Sequence, residues 1–252
     1  MHYYKTEAIV LKKTDYGDSS LMLTAFSRDF GKIVLSAKGV KRALSKFESP
    51  PEILTVQQFI FSRRGSTPVA NAAESALIEE FRGLRRDLGR FYAACYIAEI
   101  LLGLCAEWET APELYETAIT ALREIDSADA VGALFRFEAA ALTLLGHRPL
   151  LDRCAACGAK RARARSVALS AAEGGYLCRK CAGTDPAART IQGGTASAME
   201  VVLGGSSEKS RTLRLDRKAR LDLQRAFDYL ITFLGEKPVR TMPLLADTLS
   251  GK

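Results

Sequence analysis

The chain is 252 residues long, 48% hydrophobic and 26% charged, with a formal net charge of +7. That length allows one to three compact units with a sizeable core, and no apolar run approaches the roughly 18 residues that a membrane-spanning helix needs. The opening MHYYKTEAIVLKK lacks the apolar stretch of an export signal, so a cytoplasmic location and no membrane partner are expected. The charge is uneven: residues 1–80 carry a net +2, 81–146 a net −4, 147–204 a net +5 and 205–252 a net +4. A basic front and back around an acidic middle suit a polyanion that meets part of the surface, while any one segment taken alone reads equally as solvated charge.

TEAIVLKK (6–13) and SSLMLTAF (19–26) are runs of strand length joined by the turn-like Asp15-Tyr16-Gly17-Asp18, a hairpin pattern. In KIVLSAKG (32–39), Ile33, Leu35 and Ala37 alternate with Val34, Ser36 and Lys38, which predicts a third strand with one apolar face. GVKRALSKFESPP ends in two prolines that forbid ladder pairing; Ile53–Phe61 then makes a fourth strand and Pro68–Ala73 a weaker fifth. Five short strands in about seventy residues suit a small barrel of the OB type. An SH3-like barrel fits the same count.

From Glu74 the period shifts from two towards 3.6. Ile97, Ile100, Leu101 and Leu104 share one helix face, with Asp87 as N-cap. A second helix starts at Thr110-Ala111-Pro112-Glu113, where Thr110 caps, Glu113 reaches back and Pro112 sits in the first turn; Leu114, Ala118, Leu122 and Ile125 form its buried stripe. A third runs from Asp129 to Leu145, and Gly146 is placed for the left-handed conformation that ends it. After Cys181 comes a Gly-, Thr- and Ala-rich stretch with a short helix at Ala196–Leu203. Arg217–Leu234 is amphipathic, with Leu223, Phe227, Leu230, Ile231 and Leu234 on one face, Arg217, Lys218, Arg220 and Arg225 on the other, and Gly235 with Pro238 as its stop.

Between the third helix and that stretch stand Cys154-x2-Cys157 and Cys178-x2-Cys181. Each two-residue spacer lets a tight turn aim both sulfurs at one point, and two pairs supply the four thiolates that tetrahedral Zn²⁺ prefers. Four sulfurs close the coordination shell, which predicts a structural ion supporting a small ribbon with a turn at Gly174-Gly175. The alternative is two disulfides or metal-free thiols. Disulfides need an oxidising compartment, against which stand the missing export signal and the apolar helical surroundings of Cys95 and Cys105.

Traces of catalysis are few. No phosphate-binding G-x-x-x-x-G-K-[ST] occurs, neither His2 nor His147 stands in the H-x-E of a zinc deaminase, and pairs such as Glu79-Glu80 lie on predicted helices without a converging base. His147, just past a helix end, reads as a cap or surface residue, and Trp108, Cys95 and Cys105 as core or its rim. The chain is therefore not expected to be an enzyme. Binding chemistry remains: Lys32, Lys38, Lys41, Arg42, Lys46, Arg63 and Arg64 surround the third and fourth strands, interleaved with Phe30, Phe47, Phe59 and Phe61. Cations release counterions from phosphates and exposed rings stack on bases, a combination that suits single strands; rings facing inward would simply be core.

TEAIVLKKTDYGDSSLMLTAFSRDFGKIVLSAKGVKR, LFRFEAAALTLLGHRPLLDRCAACG, GGYLCRKC and YLITFLGEKPVRTMPLL together resemble the RecO family of bacterial recombination mediators. The resemblance implies an α+β multi-domain fold: a five-stranded OB-fold barrel over 1–78, then an all-α domain over 79–146 and 193–252 with a four-cysteine zinc ribbon inserted at 147–192. It implies binding of single- and double-stranded DNA, annealing of complementary strands, and partnership with RecR and the single-stranded-DNA-binding protein to load RecA. It places the protein in the bacterial cytoplasm, at the nucleoid during repair, with Zn²⁺ as support for the fold. The family's basic positions fall on Lys32, Lys38, Lys41 and Arg42. Two other classes share these modules: an RNA-binding OB-fold and zinc-ribbon factor of translation or transcription, and a metal-dependent nucleic-acid enzyme.

Overall fold

Alternating apolar and polar side chains make β2 (Ser20–Ser27) and β3 (Gly31–Ala37) bury one face each. In the computed structural model Leu21, Leu23, Ala25, Ile33, Leu35 and Ala37 share a core with Phe59, Phe61, Ala70 and Ala72. Residues 2–42, 45, 47–127, 130–204 and 212–249 are described. β1 (Tyr3–Tyr16) pairs antiparallel with β2 and with β4 (Thr55–Ser62), β2 with β3, and β4 with β5 (Val69–Glu80). β3 runs parallel to β5, so the order β1-β2-β3-β5-β4 returns to β1 as a closed barrel. This is the Greek-key closure of an OB-type barrel.

β5 continues to Glu80, well past Glu74, where a helical period is expected. Its buried residues Ala70, Ala72 and Ser75 break the step of two because Ala73 is extra: Ala72 faces Phe61 and Glu74 faces Ile60. Ile78 is a second extra residue, between Leu77 opposite Gln57 and Glu79 opposite Val56. Two bulges in one strand erase the alternation by which a strand is read. Glu79 is thus a strand residue, and its carboxylate accepts from Arg123 Nε at 3.0 Å and Nη2 at 2.8 Å.

The chain divides into two units at Ser127. The first adds α1 (Leu88–Leu104) and α2 (Pro112–Ser127) to the barrel, α1 packing on β1 and α2 on β2. Asp87 caps α1 as its sequence predicts, accepting from Arg90 N at 2.8 Å. In α2 the Tyr115 N–H donates to Ala111 O at 3.0 Å, so Ala111 takes the N-cap position instead of Thr110, and Pro112 stands at N1, where a missing N–H costs nothing. Leu114, Ala118, Leu122 and Ile125 are all buried. Phe26 meets Tyr115 at 6.4 Å and Arg28 pairs with Glu116 at 2.7 Å, so both an apolar and an ionic contact hold α2 to β2.

The second unit holds α3 (Ala130–Leu144), a three-stranded sheet in the order β7 (Gly175–Leu177), β6 (Ser166–Ser170), β8 (Arg189–Gln192), then α4 (Gly193–Leu203), α5 (Arg217–Gly235) and α6 (Met242–Leu249). Gly146, at φ +80°, ends α3: its N–H donates to Thr143 O at 3.1 Å and that of His147 to Leu142 O at 2.7 Å, the paired closure of a Schellman motif. α5 starts at Asp216, which accepts from Ala219 N at 2.8 Å, and ends on Glu236 at φ +54°, one residue beyond the expected Gly235. No described helix is long and apolar enough to cross a membrane.

Gly31, at φ +63°, opens β3 where a Cβ would overlap the Glu109 carbonyl oxygen. Gly31→Ala is expected to cost about 3 kcal/mol or more in urea unfolding, because backbone must move as well as φ. Asp87→Ala, losing one cap, should cost about 1 kcal/mol.

Candidate nucleic-acid interface and metal centre

Of the seven basic residues predicted to meet a polyanion, Lys46 lies outside the described residues. The other six divide between the two ends of the barrel, separated by the length of β3, roughly 20 Å. Lys38, Lys41 and Arg42 follow β3 beside the β1–β2 turn, where Lys41 N donates to Ser19 O at 3.1 Å and Gly39 N to Ser20 Oγ at 3.2 Å. All three are exposed, and Lys41 Nζ pairs with Asp15 at 2.6 Å, a surface pair that another anion can replace at little cost. Arg63 and Arg64 follow β4 at the opposite end, next to the start of β5.

Lys32 shares that second end but is used differently. Half-buried, its Nζ donates to Leu102 O at 2.7 Å, at the C-terminal turn of α1, where carbonyls lack helical partners and a cation is favoured. Its own carbonyl accepts from Trp108 N at 2.9 Å. Lys32 therefore ties helix to barrel, which sets it apart from the exposed cations with which it is grouped by sequence.

Between the two ends, cross-strand partners on the side away from the core line up as Thr14, Met22, Ser36, Asn71 and as Lys12, Thr24, Val34, Val69, with Ser36 buried and the others half-buried or exposed. Neither row contains a carboxylate. Phe59 and Phe61 are fully buried and Phe47 nearly so, while Phe30 packs against the same core; the interleaved rings are core residues, not stacking surfaces. A period of two cannot tell which face of a strand turns inward, and barrel closure decides it. Trp108 lies at the rim of the core as its sequence context predicts, partly buried against Phe61 and the barrel core; what the sequence does not signal is the Arg63 guanidinium 3.7 Å above its ring. Burial pushes the Cys95 and Cys105 thiols up to about 11, as suits inert packing residues.

In the second unit the four predicted cysteines converge, with all four sulfurs within 4.8 Å of one another. Thiolates bound at about 2.3 Å to a tetrahedral ion stand about 3.8 Å apart, and Cys157 and Cys178 are 3.7 Å apart, too far for a disulfide. The Cys178 N–H donates to Cys154 Sγ at 3.3 Å. Burial raises the Cys154 thiol, but N–H groups of Cys178, Cys157 and Ala156 outweigh it and leave it at about 6. Contacts with Cys157 and Cys178 push Cys181 up to about 12. Four sulfurs this close cannot all ionise without a cation among them, so the set fits a four-coordinate metal. The sequence carries no signal for β8, whose four residues hold one half-buried apolar side chain, Ile191, and so no readable period.

Residues 1–79 match the family described as Recombination protein O N terminal, and residues 85–243 the one described as Recombination protein O C terminal. Among similar proteins, DNA repair protein RecO of Desulfitobacterium hafniense (strain Y51) is 30% identical over 244 residues, covering 96% of this chain and 88% of that protein. Its namesake from Rhodopirellula baltica is 36% identical over 177 residues, covering 69% and 65%. That from Halalkalibacterium halodurans is 27% identical over 223 residues, covering 88% and 86%.

Elemental analysis is expected to find one metal ion per chain. Structural zinc in small modules contributes about 10–16 kcal/mol of apparent binding energy at neutral pH, so Cys157→Ser should release the ion and raise hydrogen exchange in β6 and β7. The barrel should keep its unfolding transition.

Proposed function

The chain belongs to the RecO family of DNA repair proteins, and from that premise we propose that it is a non-enzymatic recombination mediator. It binds single- and double-stranded DNA, anneals complementary strands and, with RecR, helps load RecA onto DNA coated by the single-stranded-DNA-binding protein. One observation carries the reading: two groups of cations bracket an outer strip of the barrel on which no carboxylate repels a phosphate. Lys38, Lys41 and Arg42 hold the backbone at one end and Arg63 and Arg64 at the other, while Lys32 secures α1. Contacts of this kind position a strand without reading its bases. They also screen two polyanions from each other, which is what annealing requires.

In this reading 1–78 is the DNA-binding module, 147–192 a ribbon inserted for support, and 79–146 with 193–252 the helical scaffold. The ion is Zn²⁺, since four thiolates and a closed shell favour it and leave no place for an activated water. The protein works in the bacterial cytoplasm, at the nucleoid during repair. The rival source of positive charge is a cleft of about 280 Å³ beside β8 and α5, lined by Arg189, Lys218 and Arg225 but also by Asp222. That carboxylate weakens its claim on a phosphate.

Each neutralised phosphate contributes about −0.7 to the slope of log K against log salt on single strands. Replacing Lys38, Lys41 and Arg42 by Ala is therefore expected to flatten the slope by about 2, equally on every sequence, and to slow annealing in parallel. Unchanged affinity and slope in this variant, with both lost on replacing Arg189, Lys218 and Arg225, would move the site to the cleft.

A further inference from the structure

Trp108 is the only tryptophan of the chain, and its backbone is left-handed at φ +62°, a conformation that bulky aromatic residues rarely adopt. Such strain persists only where its surroundings over-determine it, and it concentrates at ligand sites. Here the surroundings are explicit. The Trp108 N–H donates to Lys32 O at 2.9 Å, the indole Nε1 to Pro68 O at 3.0 Å, and the ring leans on Phe61 at 6.1 Å. Pro68 precedes Val69, which ends one row of the carboxylate-free strip, so the indole stands at the edge of the path a strand would follow.

Arg63 covers the indole. Its Cζ lies 3.7 Å from the ring centroid and its Nε donates to Thr67 O at 2.7 Å; its two terminal nitrogens have no hydrogen-bond partner among the described residues. A partly exposed cation–π contact is weak beside a charge-assisted Arg–phosphate hydrogen bond. We propose, on the DNA-binding reading above, that Trp108 and Arg63 form a base-stacking site for single-stranded nucleic acid. A base takes the indole face while the Arg63 guanidinium turns to the neighbouring phosphate. Until then the guanidinium holds the place of the base and keeps water off the ring. Stacking of this kind is indifferent to base identity, because every base offers a π-face.

With one tryptophan, emission excited at the long-wavelength edge, where the eight tyrosines do not absorb, reports this site alone. Titrating the full chain with a 15-nucleotide oligodeoxythymidylate is expected to quench the emission, while an abasic strand of equal length binds without quenching. In fluorescence anisotropy with labelled oligonucleotide, Trp108→Ala should weaken binding about 5- to 150-fold, the range set by losing one stacked base, and leave the salt slope unchanged. Arg63→Ala should lower the slope by about 0.7. Trp108→Phe keeps a ring but loses the bond to Pro68, so it should bind within about threefold of wild type. Loss in Trp108→Phe equal to that in Trp108→Ala would show that the loop hydrogen bond matters and the ring does not, and would overturn the proposal. Binding with no change in emission would overturn it as well while leaving the DNA-binding reading intact; absence of any binding would remove both.

Discussion

The docking of the α1–α2 connection on the first residues of β3 is the contact on which the first unit depends. It is possible because Gly31 has no Cβ: any other residue would collide with the Glu109 carbonyl. With the backbones this close, Lys32 reaches the last turn of α1, its carbonyl takes the Trp108 N–H, and the indole reaches across to Pro68. A helix terminus, a strand end and the loop between β4 and β5 are thereby fixed together. Arg63 and Arg64 leave β4 into that loop, so the placement of the second cationic group follows from a missing methyl group on Gly31. Lys32 is committed to this arrangement, since a cation at a helix C-terminus both hydrogen-bonds orphan carbonyls and opposes the helix dipole.

In the second unit we propose a comparable dependence on a metal held by the four cysteines. Its three short strands bury few apolar side chains, chiefly Val167, Leu169, Tyr176 and Leu177, with Leu151 beside them, too small a core to fold alone. Cross-linking through a metal at the four-sulfur site would supply what the apolar surface does not, and Arg161, paired with Glu200 at 2.5 Å, joins the ribbon to α4. Arg161 is thereby engaged in the fold, which subtracts from the ribbon's apparent surplus of positive charge.

Much of this was legible in the sequence wherever one local rule decides the outcome. Asp87, Gly146 and the two cysteine pairs each act within a few residues, and the alternation through Ile33, Leu35 and Ala37 needs only a period of two. What could not be read depends on partners distant in the chain. The bulges at Ala73 and Ile78 hid half of β5, and β8 exists only because β6 offers it an edge. Lys32 and Lys38 look alike in sequence, yet α1 binds one and leaves the other in solvent. Trp108 packs at the rim of the barrel core as expected, but its left-handed backbone and the Arg63 guanidinium over its ring depend on Lys32, Pro68 and Arg63, all distant in the chain.

We propose that a nucleic-acid strand lies across the outer face of the barrel, between its two cationic ends. Hydrogen exchange with and without an oligodeoxythymidylate tests it most directly, peptide by peptide. The account predicts slower exchange at residues 17–24, 34–42 and 63–71, with 160–192 and 217–225 unchanged. Protection confined to the ribbon and α5, with the barrel untouched, would contradict it.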